Sequence, residues 1–398
     1  MRIGALICLA VSLVPSTAQA QPAPAAAGRS GSAPRIVSPE IAPDRRVTFR
    51  LLAPKAGDVT LTGEFLPASA DPAAPPAVVH MTKGEDGVWS TTVGPIDPEV
   101  YHYHFTVDGV RTLDPGNAEL KTGSTPQTIM NVLEVRGDKP AFYEGRPVPH
   151  GEIRTHWYES KSLGTLRRLM VYVPPGYDRN TTERYAVLYL FHGANADETA
   201  WTRFGRANLI LDNLIADGRA RPFVVVMPFG YGVSPTAPPG TPGQNTEKFS
   251  LDLRQDVIPY IEARYRVQAD RDHRAIVGLS MGGGQALNIG LNHLELFSHV
   301  GGFSAAIAGT DFSKAYASLV ANADVTNQKL RLLWIGCGRS DSLFGASKSF
   351  STFLTDRHVT HVFHESGGAH TWIVWRRYLN EVAPLLFQST GEQRRSQR

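Results

Sequence analysis

Between residues 35 and 136 hydrophobic and polar positions alternate in short runs: Val47-Thr48-Phe49-Arg50-Leu51, Val59-Thr60-Leu61-Thr62, Val88 to Val93, Tyr101 to Val107 and Ile129 to Val135. A period of two sends successive side chains to opposite faces of a strand. Turn residues separate the runs at Pro54, Gly57, Glu85-Asp86-Gly87 and Asp108-Gly109. The segment therefore predicts a small, all-β antiparallel sandwich. A connector occupies residues 137–150, and from 151 to 388 the pattern changes. Leu169 to Val173, Ala186 to Phe191, Phe223 to Met227, Ala275 to Leu279, Val300 to Phe303, Leu330 to Ile335 and Val359 to Phe363 are apolar without alternation, as strands covered on both faces are. Amphipathic stretches lie between them: Ala207 to Gly218, Phe249 to Tyr265, Gly283 to Leu294, Ser347 to Asp356 and Thr371 to Phe387. Strand then helix, repeated, predicts an α/β domain built on a doubly wound, mostly parallel sheet.

The ends add a compartment. Arg2, the apolar run Ile3 to Val14, Pro15 and the small-residue triplet Ala18-Gln19-Ala20 have the three regions of an export signal, so residues 1–20 read as a signal peptide. About 12 apolar residues are too few for a spanning helix, which needs roughly 20. Residues 21–34 are small residues, Pro and one Arg, a flexible linker, and 389–398 form a polar tail. Cleavage removes Cys8 and leaves Cys337 alone, so the core must stabilise the exported chain without a disulfide. The expected location is secreted or periplasmic, with no membrane attachment after cleavage. Lys and Arg total 40 against 37 Asp and Glu, a net charge of +3 over 398 residues, which argues against nucleic acid as a partner. Oligomeric state stays open.

The chemistry is carried by Gly278-Leu279-Ser280-Met281-Gly282. An apolar strand leads into it and the small residues Gly283-Gly284-Gln285-Ala286 open a helix, which is the strand-turn-helix setting of a nucleophile elbow. A serine hydroxyl attacks only when a histidine takes its proton and a carboxylate orients that histidine. Asp341 follows the strand Leu330 to Ile335 in the loop Gly336-Cys337-Gly338-Arg339-Ser340-Asp341; Asp311, Asp324 and Glu365 are weaker rivals. His370 stands in Gly367-Gly368-Ala369-His370-Thr371-Trp372, between the last strand and the last helix. The oxyanion donors are expected to be the amide of Met281 and that of Ala194, in Phe191-His192-Gly193-Ala194-Asn195, with His192 shaping the loop. Trp201, Trp372 and Trp375 are the candidate substrate contacts, together with the Gly/Pro-rich loop from Phe229 to Gln244. His358, His361 and His364 do not share a strand face, and nothing completes a metal site; neither metal nor cofactor is called for.

Residues from about 151 to 387 resemble the esterase D type of α/β-hydrolase, which includes feruloyl, acetyl xylan and enterochelin esterases and the mycolyltransferases. The matching pieces are Arg168-Leu169-Met170-Val171-Tyr172-Val173-Pro174-Pro175-Gly176-Tyr177, Phe191-His192-Gly193, Asp256-Val257-Ile258-Pro259-Tyr260-Ile261, the serine motif through Gly283, Gly338-Arg339-Ser340-Asp341 and His370-Thr371-Trp372. The resemblance implies Ser280, Asp341 and His370 as a triad and Met281 with Ala194 as the oxyanion hole. Phe49 to Pro54, Asp86-Gly87-Val88-Trp89 and Tyr101 to Gly109 are similar to the family-48 carbohydrate-binding modules, which are immunoglobulin-like early-set sandwiches. Trp89 is that segment's only tryptophan and reads as core, so glycan binding, a spacer and a wall of the catalytic cleft all stay open. The pairing implies a feruloyl esterase acting on feruloylated xylan oligosaccharides or other small esters. The alternatives are an acetyl xylan esterase, a siderophore trilactone esterase or an inactive glycan-binding protein.

Overall fold

The alternating and the uniformly apolar halves fold as two differently built regions. The structure, a computed structural model, describes residues 36–67, 77–123, 128–235 and 242–388. The expected signal segment, linker and polar tail lie outside the described residues, which contain no helix long and apolar enough to cross a membrane.

The front region has strands β1 (Glu40–Ile41), β2 (Val47–Leu52), β3 (Val59–Gly63), β4 (Val78–His80), β5 (Thr82–Lys83), β6 (Val88–Val93), β7 (Glu99–Val107), β8 (Val110–Thr112), β9 (Leu120–Lys121) and β10 (Met130–Val135). One sheet runs β1-β2-β6-β5; the other runs β4-β3-β7-β10-β9 with β8 on β7, and every pairing is antiparallel. The period-two pattern does what it predicts: Val47, Phe49 and Leu51 of β2 and Tyr101, Tyr103 and Phe105 of β7 all turn inward, with Phe49 edge-on to Tyr103 at 4.9 Å. Trp89 is in this core, its indole nitrogen donating to the Ala53 carbonyl.

The second region is an eight-stranded sheet of β11 (Glu152–Ser160), β12 (Thr165–Val173), β13 (Ala186–Phe191), β14 (Phe223–Pro228), β15 (Arg274–Leu279), β16 (His299–Phe303), β17 (Leu332–Gly338) and β18 (Val362–Ser366) in the order β11-β12-β14-β13-β15-β16-β17-β18. From β14 onward the pairings are parallel, and the β11–β12 hairpin joins antiparallel at one edge. The helices are α1 (Ala200–Arg203), α2 (Ala207–Ala216), α3 (Pro242–Asp252), α4 (Ile258–Arg264), α5 (Ser280–Asn292), α6 (Phe312–Ala315), α7 (Ala317–Ala321), α8 (Ala323–Lys329), α9 (Phe344–Asp356) and α10 (Trp372–Val382). Every residue of β13, β14, β15, β16 and β17 is buried, the reason these strands read as apolar without alternation.

Three expectations shift. The edge strand β11 gives no apolar run because only two of its nine residues are buried, and Trp157 is exposed. The last strand starts three residues later than its apolar run, because Val359 is spent closing the turn after α9 with its amide on the Leu354 carbonyl. The helix expected from Phe249 begins instead at Pro242 and passes through a π turn, Leu253–Val257, into α4.

The two regions share a core. Val100 and Tyr143 pack into the cluster formed by one face of the large sheet, and Ile373 of α10 packs against the sandwich cluster. The described residues from Val37 onward form a single compact unit.

Candidate active site

The turn between β15 and α5 is shaped by what cannot fit there. Ser280 has φ of 52°, a left-handed conformation that a residue bearing a Cβ adopts only when its surroundings impose it. A Cβ on Gly278 would lie 2.2 Å from the Gly282 carbonyl oxygen, and one on Gly282 would lie 2.4 Å from the His192 carbonyl oxygen. The glycines either side of the serine are therefore steric requirements of the turn. They let β13, β15 and the start of α5 approach closely enough to push Ser280 out at the carboxyl edge of the sheet.

Two further loops leave that edge. Three residues beyond β17 comes Asp341, 2% exposed, its carboxylate accepting the Leu343 amide at 2.8 Å. Four residues beyond β18 comes His370. Its Nδ1 is 2.8 Å from Asp341 Oδ2 and its Nε2 is 2.9 Å from Ser280 Oγ. Burial would raise the Asp341 pKa, but the hydrogen bond and charge of His370, the Leu343 amide and the Ser304 hydroxyl outweigh it and hold the carboxyl below its usual range. The carboxylate thus stays ionised against the imidazole. Asp311 caps α6, Asp324 lies in the first turn of α8 and Glu365 pairs with Arg339, and it is Asp341 that meets the imidazole.

The loop after β13 lies against the serine: a Cβ on Gly193 would be 3.2 Å from that of Ser280. His192 is buried, with Nδ1 2.8 Å from the Gly193 carbonyl oxygen and Nε2 accepting the Gly230 amide at 2.8 Å. Its pKa falls to about 4, first because of burial and further because of Arg167, against the opposing pull of the Gly193 carbonyl and Asp197. A neutral imidazole with these two contacts is a brace that ties the Ala194 loop to the loop after β14. Met281 is the second residue of α5, in the first turn, where backbone amides have no partner within the helix.

Two cavities flank the serine. One, of about 580 Å³, is lined by Ala194, Tyr231, Val233, Met281, Ile307 and Tyr316 among others and is mostly apolar. The loop expected to meet substrate, Phe229 to Gln244, supplies Tyr231, Val233, Ser234 and Pro235 to it; residues 236–241 lie outside the described residues. The other, of about 210 Å³, holds Ser280 and His370 themselves and is closed on one side by Glu64, Lys121 and Thr128 of the sandwich. Sequence reading did not find these three. They lie far from any catalytic motif along the chain, and only the docking of the two regions brings them to the serine.

The tryptophans divide. Trp201, expected at the substrate, is corrected to a core residue: it is 1% exposed, its Nε1 donates to the Phe191 carbonyl, and it lines neither cavity. The short α1 tucks it beneath the sheet edge, edge-on to Trp372 at 5.2 Å. Trp372 and Trp375 are also buried, at 3% and 6% exposure, but both border the smaller cavity, and Trp375 stands edge-on to His370 at 4.9 Å. Cys337 is a buried free thiol whose pKa burial pushes up to about 12, so it is packing and not a nucleophile.

A protein-family model described as putative esterase matches residues 160–386. The chain is 34% identical over 314 residues to an endo-1,4-beta-xylanase/feruloyl esterase of Xylanibacter ruminicola, a match covering 77% of this chain and 41% of that protein. The match therefore takes in less than half of that relative's length. A solved ferulic acid esterase of Anaeromyces mucronatus, in complex with ferulic acid, aligns at 26% identity with a TM-score of 0.56, over 64% of this chain and 98% of that one. An enterobactin esterase of Shigella flexneri gives a TM-score of 0.63 over 86% of this chain and 93% of that one; at 16% identity the likeness is one of fold.

Proposed function

The chain belongs to the esterase family of α/β-hydrolases, and on that footing we propose that it is an exported serine carboxylesterase that releases ferulate or a related hydroxycinnamate from feruloylated xylan. Ser280 Oγ attacks the ester carbonyl while His370 Nε2 takes its proton, and Asp341 stabilises the imidazolium through Nδ1. The amides of Met281 and Ala194 receive the developing oxyanion. His370 then returns the proton to the departing sugar oxygen, leaving the acyl group on Ser280. Water attacks that acyl-enzyme by the same route and frees the acid.

The observation that carries the acyl assignment is the 580 Å³ cavity beside Met281 and Ala194, whose Tyr231, Ile307 and Tyr316 suit a flat aromatic acyl group and far exceed what acetate needs. The polar cavity on the other side of the serine, with Glu64, Lys121 and Thr128, suits the hydroxyl-rich alcohol. In support, ferulic acid is the ligand named for the Anaeromyces mucronatus structure, and the Xylanibacter ruminicola relative is named for both xylanase and feruloyl esterase. The test is hydrolysis of methyl ferulate by the mature protein, followed by absorbance, with Ser280→Ala as blank and an acetyl ester in parallel. Ferulate release that vanishes in the variant is expected; cleavage of the acetyl ester alone would replace this reading with an acetyl esterase.

A further inference from the structure

Arg376, in the second turn of α10, is fully buried although it carries a charge. Its partners come largely from the sandwich. Nη2 donates to Glu99 Oε1 at 2.8 Å and to the Val100 carbonyl at 2.9 Å, and Nη1 donates to the Phe204 carbonyl at 2.9 Å. The guanidinium also lies 5.0 Å from the ring centre of Tyr143, in the connector. Glu99 is 4% exposed, so both members of this ion pair are out of water at the junction of the two regions. Buried ion pairs add little net stability, but a member left without its partner is costly, so the pair holds a fixed geometry.

The residue beside Arg376 explains why that geometry matters. Trp375 stands edge-on to the His370 ring at 4.9 Å and donates its Nε1 to Ser304 Oγ at 3.1 Å. The Ser304 hydroxyl in turn helps to hold the Asp341 carboxyl below its usual range. One helical turn thus touches the imidazole directly and bears on Asp341 only through Ser304, and the sandwich grips the next residue of that turn. His370 itself sits in a glycine-rich loop with its side chain 35% exposed, so α10 is its nearest rigid support.

We propose that the sandwich is a positioning element of the catalytic centre, with Glu99 and Arg376 as the positioning pair that sets α10, and through Trp375 the His370 and Asp341 side chains, against Ser280. This rests on reading Ser280, Asp341 and His370 as the triad. The pair touches no substrate, so its loss lowers the rate of attack and leaves ground-state binding unchanged.

Full-length Glu99→Gln, Glu99→Asp and Arg377→Gln proteins test this. Arg377 is the exposed outer neighbour, 3.5 Å from Glu99, and serves as the control. Three quantities are read: kcat and KM on methyl ferulate, the rate at which a fluorophosphonate labels Ser280, and the melting temperature. Glu99→Gln is expected to lower kcat and the labelling rate by about tenfold with KM within twofold. Glu99→Asp should restore most of the loss, and Arg377→Gln should match the unaltered protein. A Glu99→Gln protein that melts earlier yet labels and turns over at the unaltered rate overturns the proposal, since the pair would then be structural only; so does a loss confined to KM. Should Glu99→Gln not fold, the double replacement Glu99→Leu/Arg376→Met, which strands no charge, is read the same way, with an unaltered kcat again overturning the proposal. Failure of the triad reading is separately visible as phosphonate labelling that persists in Ser280→Ala.

Discussion

The two flanks of Ser280 are made by different means. On the side proposed for the acyl group the wall comes from the large sheet's own loops: Ala194 after β13, Tyr231 after β14, Met281 near the head of α5 and Ile307 after β16. It is mostly apolar, with Asn245, Thr246 and Glu247 of α3 among its polar members, and its braces, His192 and the buried Arg167, are uncharged or fully paired. On the side proposed for the alcohol the wall is borrowed. Glu64, Lys121 and Thr128 belong to a separately patterned sandwich, and they are polar or charged. A scaffold that holds its reacting groups by short loops can leave chemistry and acyl recognition within one domain. Reading the leaving group then falls to whatever is docked against the opening.

If chemistry resides wholly in the sheet's loops, the largest effect must come from there. Ser280→Ala and His370→Ala should each reduce kcat on the order of 10⁶-fold, and the double variant should lose no more than either alone, because triad members act as a unit. Losses that multiply in the double variant would break the assignment. The next effect is steric: Gly282→Ala drives a Cβ to 2.4 Å from the His192 carbonyl oxygen and 2.7 Å from Phe191 Cβ, both in the neighbouring strand and its loop. It should destabilise the protein by about 3 kcal/mol, read as a lowered urea midpoint, and it should slow turnover more than it raises KM. A neutral result would mean that the elbow has slack the structure does not show.

Acid should distinguish the braces on the two flanks. His192 is neutral in the fold with a pKa near 4, below the ordinary histidine value, so the unfolded chain takes up its proton first as pH falls. Its contribution is whole above about pH 6.5, declines as pH drops towards 4, and falls no further below that, for a total loss of roughly 3 kcal/mol. Urea titrations at pH 7 and pH 5 should show a smaller pH difference in His192→Asn than in the unaltered protein; an equal difference would assign the acid sensitivity to His299 or His104, whose pKa values burial also lowers. Glu64 also loses its contribution on acidification, but only below the usual carboxylate value of about 4.5. Burial would raise it, but His102 and Lys121 prevail and keep it ionised below the usual carboxylate range.

How legible each flank was in the sequence follows from the same division. Ser280 and Asp341 each follow a strand fully buried on both faces, which announces itself as an unbroken hydrophobic run, whereas His370 follows the half-buried β18, marked only by the shorter run Val359 to Phe363 and the glycines after it. Their grouping could therefore be read from order along the chain. Trp201 misled because an aromatic near the sheet's carboxyl edge has the same local pattern whether it faces substrate or core; only the Phe191 carbonyl that its indole meets decides. Strand β11 was silent because exposed edges carry no apolar signal. Glu64 and Lys121 were silent for a different reason: each is an ordinary polar residue of a short front strand or its turn, and its meaning comes from rigid-body docking, which leaves no periodicity behind.

The smallest effect tests the borrowed wall most directly. Lys121 is pulled down chiefly by burial and pushed up by Glu64, while Glu64 is 3.0 Å from the buried His102 imidazole and accepts the His102 amide at 2.9 Å. The carboxylate is thus fixed from the sandwich side and offers its remaining lone pairs, with the Lys121 ammonium, to the cleft. A sugar bearing the ester at one hydroxyl presents its other hydroxyls there, and a hydrogen bond to a charged group discriminates by about 2 kcal/mol at most once water competition is counted. Lys121→Ala should therefore raise KM for a feruloylated arabinoxylo-oligosaccharide by about tenfold while leaving methyl ferulate within twofold, since a methyl group reaches neither charge. Glu64→Gln should do the same more weakly, because the amide keeps one acceptor. If both variants treat the two substrates alike, the alcohol is not read by the sandwich, and the difference between the flanks reduces to Glu99 and Arg376 holding α10 in place.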